Sequence, residues 1–66
     1  MPLYEVVLRH YGRADEIRFT DREPRIGSIL IVDGRSWNVQ RTEQPAHRLA
    51  RTRFICGLKR RDPRGG

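Results

Sequence analysis

The chain has 66 residues, 14 of them Lys or Arg and 8 Asp or Glu, which leaves a net charge of +6. A chain this short buries only about 60% of its extended surface on folding, so it supports one small core and one domain. Hydrophobic residues make up 36% and charged residues 33%, apolar enough to fold, while the longest aliphatic run, Ile29-Leu30-Ile31-Val32, is too short for a membrane span.

Met1-Pro2-Leu3-Tyr4-Glu5 has neither a basic region nor an apolar stretch, so no secretion signal is expected. From Tyr4 to Tyr11 the residues alternate, with Tyr4, Val6 and Leu8 on one face and Glu5, Val7 and Arg9 on the other, which predicts a strand. Gly12-Arg13-Ala14-Asp15 is a turn, and Glu16-Ile17-Arg18-Phe19-Thr20 alternates again, which predicts a hairpin. Residues 21–26 are polar, contain Pro24 and read as a loop.

Residues 27–39 hold two β-rich runs joined through Asp33-Gly34. A two-residue turn places Leu30 opposite Trp37, whereas a three-residue turn with a glycine bulge places Ile29 there. A slip of one residue exchanges the faces. The longer turn is expected here, because it gathers Ile29, Trp37 and Val39.

Residues 45–56 support two readings. Ala46, Leu49, Ala50 and Phe54 recur at helical spacing, with Pro45 at a first helical position and Gly57 as terminator, which would give an α+β fold. Alternatively, Thr52-Arg53-Phe54-Ile55-Cys56 is rich in strand formers and alternates, predicting a fifth strand over 52–59 with at most a helical turn at 45–49. The strand reading is adopted. It yields an all-β, five-stranded, antiparallel, partly open barrel over residues 1–60, followed by a flexible basic tail over 61–66.

Residues 25–39 resemble the central hairpin of small Src-homology-3-like barrels, including the KOW type of ribosomal and transcription proteins. With Tyr4-Glu5-Val6-Val7-Leu8-Arg9 and Arg53-Phe54-Ile55-Cys56, the chain also resembles short, arginine-rich bacterial proteins. The resemblance implies a fold and a cytoplasmic bacterial setting, and it transfers no functional residues.

Cys56 is the single cysteine, so no internal disulfide forms, and a cytoplasmic location is expected. Its neighbours Phe54, Ile55 and Leu58 mark it as a small buried hydrophobe rather than a reactive thiolate. His10 and His47 are the two imidazoles, too few with one thiol for a usual zinc ligand set, so no metal or other cofactor is expected. Phosphate-loop, dinucleotide and nucleophile-elbow motifs are absent, and Cys56, His10, His47, Asp33 and Glu43 have no orienting partners in sequence. A chain whose apolar residues are needed for one core has few left to wall a substrate pocket, so no catalysis is expected.

The charge is lopsided. Residues 1–43 carry seven arginines and seven acids, and residues 44–66 carry seven cations against Asp62, giving 7 − 1 = +6. On the strand reading Arg51, Arg53 and Lys59 share the face opposite Phe54 and Cys56, with Arg60 and Arg61 continuing the stripe and Arg48 preceding it. Arginine binds phosphate multidentately and stacks on bases, so Arg48, Arg51, Arg53, Lys59, Arg60 and Arg61 are the candidate nucleic-acid-binding residues. The bland reading is a solvated face: 13 of the 14 basic residues are arginine, a bias that GC-rich coding alone produces. Trp37 is either a core or rim residue packed on Ile29 or a stacking platform for a base or proline-rich peptide. The expected function is a non-enzymatic module that binds DNA or RNA backbone. The alternative is an adaptor for an acidic protein, working through a barrel edge or an aromatic groove.

Overall fold

The computed structural model of the protein describes residues 1–58. Five strands, β1 (Tyr4–Arg9), β2 (Glu16–Thr20), β3 (Ile29–Val32), β4 (Arg35–Glu43) and β5 (Thr52–Leu58), form one sheet in the order β2-β1-β5-β4-β3. The sheet curls into an all-β, partly open barrel, as the alternation predicts. Among the described residues no helix is long and apolar enough to cross a membrane.

The sheet is mixed rather than antiparallel throughout. β1 pairs β5 in parallel, while β1–β2, β3–β4 and β4–β5 are antiparallel. Direction reverses at each connection, so the first and fifth strands run the same way once they become neighbours. Parallel pairs sit where both faces are covered. Accordingly, Tyr4 to Leu8 and Phe54 to Cys56 are buried without alternation.

The inner face carries the core: Tyr4, Val6, Leu8, Trp37, Val39, Phe54 and Cys56, with Leu30, Val32 and Leu58 packed against it. Tyr4 meets Phe54 edge-on, with ring centroids 6.1 Å apart. The outer face buries Val7 and Ile55 and, with them, the carboxylate of Glu5.

Residues 45–56 do not form a helix. Their N-terminal part is an irregular crossing with a turn in which Ala50 N–H donates to the His47 carbonyl at 3.1 Å. The backbone N–H groups of Ala46 and His47 donate to the Glu5 carboxylate, and Arg51 N–H donates to the Leu3 carbonyl at 2.8 Å. These bonds tie the crossing to β1, and from Thr52 the strand formers pair on both sides. The predicted strand over 52–59 is seen to Leu58. Lys59 and the predicted tail at 61–66 lie outside the described residues.

The β3–β4 turn is the shorter one, with Val32 opposite Arg35 and Leu30 opposite Trp37. Both turn residues have positive φ, 52° at Asp33 and 77° at Gly34. That is the primed turn, whose twist matches the flanking strands, and Asp tolerates the left-handed region better than most residues. Leu30 and Val32 therefore face the core, while Ile29 and Ile31 point outward at 44% and 64% exposure.

Candidate functional site

The cationic stripe predicted along β5 is interrupted at its centre. Arg53 lies on the outer face, where its Nε donates to Glu5 Oε2 at 2.7 Å. Burial alone would raise the Glu5 pKa. The Arg53 guanidinium and the N–H groups of His47 and Ala46 outweigh it and hold the carboxyl below the ordinary 4.5. Arg53 is thus a structural partner of a buried acid. Arg48 and Arg51 are exposed where β5 begins and form no ion pair among the described residues. β5 is about 20 Å long, so Leu58 stands well away from them. The predicted site residues Lys59, Arg60 and Arg61 lie outside the described residues.

Trp37 is 2% exposed and belongs to the core, facing Leu30 across the hairpin rather than Ile29. Its ring meets His10 edge-on at 5.2 Å. It presents no ring face to solvent, so a base cannot stack on it without unpacking the barrel.

The end of the sheet where β1 finishes and β4 begins gathers other cations. Arg9, in register with Gly57, and Arg35, at the start of β4, are exposed and free of ion pairs among the described residues. Arg13, in the β1–β2 turn, donates to His10 Nδ1 at 3.2 Å, a contact that leaves its charge uncancelled. His10 in turn donates from Nε2 to Glu16 Oε1 at 2.8 Å. Arg18 binds both Glu16, at 3.0 Å, and Asp33, at 2.6 Å. Arg18 first and His10 second hold the Glu16 carboxyl below its ordinary value, and the two acids raise that of Arg18. A continuous hydrogen-bonded chain therefore runs from Arg13 to Asp33 across the open side of the barrel.

Two hollows flank this chain and share His10. The larger, about 560 Å³, is lined by residues 9–12 together with Gln40, Gly57 and Leu58. The smaller, about 250 Å³, includes Arg13, Arg35, Glu16 and Asp33 in its lining. Arg18 meets both of its acids but offsets only one of their two charges, so Arg9, Arg13, Arg35 and Arg18 against Glu16 and Asp33 leave the two hollows a net 4 − 2 = +2. Asp15, in the same turn as Arg13, is an exposed acid without an ion pair among the described residues. Tyr11 stands at the rim with 82% of its surface exposed.

A segment-by-segment charge sum hid this site. It balanced residues 1–43 at zero without regard to pairing, whereas the fold sets Glu5 on Arg53, Glu43 on Arg41 and both Glu16 and Asp33 on Arg18. The run Arg9-His10-Tyr11-Gly12-Arg13, basic and aromatic within five residues, was the available signal.

Cys56 is fully buried, and burial pushes its thiol pKa up. Among the described residues no three His, Cys, Asp or Glu side chains come together as a metal site. Comparison of the chain with protein-family models, curated proteins and solved structures finds no match.

Proposed function

We propose that the protein is a non-enzymatic nucleic-acid-binding module that contacts phosphates through Arg9, Arg13 and Arg35. The observation carrying this reading is that three guanidinium groups without an ion pair of their own among the described residues, and an exposed tyrosine, line adjoining hollows of net positive charge at one end of the sheet. Guanidinium groups chelate phosphate oxygens, and a ring beside them stacks on bases, a combination suited to a polyanion carrying both. Leu58, which lines the larger hollow, is followed in sequence by Lys59-Arg60-Arg61. The half-barrel is compatible with the Src-homology-3-like and KOW-like resemblance of residues 25–39, and a single buried cysteine suits a cytoplasmic setting.

The test is a salt titration of binding to an oligonucleotide. Each cation engaged on phosphate adds about 0.7–0.9 to the slope of log affinity against log salt. Arg9→Ala and Arg35→Ala should each flatten the slope by about that amount. Arg41→Ala, which removes a side chain paired with Glu43, should leave it unchanged. Binding that ignores salt, or a slope that responds only to Arg48→Ala and Arg51→Ala, overturns this assignment.

One observation favours an acidic protein partner instead. The edge strand β3 exposes Ile29 and Ile31, and the exposed Arg25 and Arg35 lie just before and after it in sequence. An unprotected apolar edge is a template for strand addition. Recovery of one stoichiometric protein after nuclease treatment, lost in Ile31→Lys, would support that reading.

A further inference from the structure

We infer that the larger hollow receives one unstacked base of a single-stranded nucleic acid, so that the ligand is a single strand rather than a duplex. This rests on the phosphate-binding reading above and deepens it.

The hollow is open, and a β-bulge supplies one of its lining residues. Between Val39 and Arg41 the β4–β5 register slips, and the extra residue is Gln40. Such a bulge re-aims a side chain, and the Gln40 amide lies across Gly57, where any Cβ would collide with its Nε2. The amide has no hydrogen-bond partner among the described residues. It brings two donors and one carbonyl acceptor to the lining of the hollow, the complement of a base edge. Tyr11 supplies a ring at the rim, and Arg9 supplies a cation beside it. At about 560 Å³ the space falls within the roughly 300–1,000 Å³ typical of sites for small organic groups.

A phosphate alone needs neither a side-chain amide nor a ring. A duplex keeps its bases stacked inward and meets a protein of this size with its backbone and groove edges, so it cannot seat a base in a hollow without paying for unpairing. A single strand presents bases that are free to turn outward. One base held between Tyr11 and Gln40, with its phosphate on Arg9, uses the ring, the amide and the cation that line the hollow.

The experiment is a fluorescence-anisotropy titration of the full chain with three labelled oligonucleotides of equal length: a mixed-sequence single strand, an abasic strand and a duplex. The single strand should bind about tenfold more tightly than the abasic strand, the magnitude of one stacked base. Tyr11→Ala should abolish that advantage while leaving abasic affinity unchanged, Tyr11→Phe should retain it, and Gln40→Ala should reduce it. Equal binding of single strand, abasic strand and duplex, or equal losses on all three in Tyr11→Ala, overturns the base-seating inference while the phosphate reading stands. Absence of salt-sensitive binding to all three overturns both.

Discussion

The Arg18 guanidinium lies 2.6 Å from the Asp33 carboxylate, although β2, which carries Arg18, and β3, which Asp33 follows, occupy opposite edges of the sheet. Their meeting measures how far the sheet has curled. The inner-face positions of β2 are Glu16, Arg18 and Thr20, opposite Leu8, Val6 and Tyr4. The open side of the barrel is therefore lined by polar groups that bond to one another, while Ile17 and Phe19 turn outward at 51% and 50% exposure.

The turn that presents Asp33 depends on the left-handed conformation of both its residues. Gly34→Ala should lower stability by about 1–2 kcal/mol, the cost of placing a Cβ in that region. Asp33→Asn keeps the turn preference and should cost less, while the open side loosens. Urea midpoints give the first comparison, and amide exchange at β2 and β3 gives the second.

Glu5 is the acid on which the crossing over the outer face depends. Its folded pKa lies below the ordinary 4.5, so its contribution is complete above that value and is lost as pH falls through the folded pKa. The urea midpoint of the wild type should therefore drop below about pH 4.5, whereas that of Glu5→Gln should vary less there. At neutral pH the variant leaves Arg53 half-buried without its partner, at a cost of about 2–3 kcal/mol, under the usual range for a fully buried pair. Equal pH profiles would show that Glu5 does not carry the acid sensitivity.

Gly57→Ala separates stability from binding. The new methyl meets the far end of a flexible glutamine, which can swing aside, so stability should change by less than about 1 kcal/mol. The Gln40 amide resonances should shift, and the preference for base-bearing over abasic strands should fall. Calorimetry with heteronuclear spectra of the variant checks both.

Cys56 is buried with a thiol pKa raised by burial, so it should resist disulfide reagents in the native state. Its labelling rate should rise with urea in parallel with global unfolding. Rapid labelling without denaturant would mean that the inner face opens locally. Cys56→Ser, which places a hydroxyl among Leu8, Val39 and Phe54, should cost about 1–3 kcal/mol.

All five strands were legible because each alternates or carries β-branched residues between turn signals. The β3–β4 register is not, because a Trp37–Ile29 contact and the positive-φ preference of Asp33-Gly34 point to opposite faces, and the backbone preference wins. The parallel β1–β5 pair was invisible to local pattern, since alternation shows which residues share a face and not which strands adjoin. The same gap hid the site. The bond between Arg53 and Glu5 joins residues 48 apart, and once it forms, β5 keeps Arg48 and Arg51 unpaired at its start while Arg9, Arg13 and Arg35 gather at the other end of the sheet. The burial of Trp37 follows from the same economy of a small core, in which its ring is the largest buried side chain.

One of the two inner pairs of the sheet joins the first described strand to the last. Tyr4 to Leu8 emerges early in synthesis and waits with its apolar side chains uncovered until Thr52 to Leu58 arrives. Two hairpins can form in the meantime, but neither closes the barrel, so folding is a long-range event in which little is gained until β5 is present.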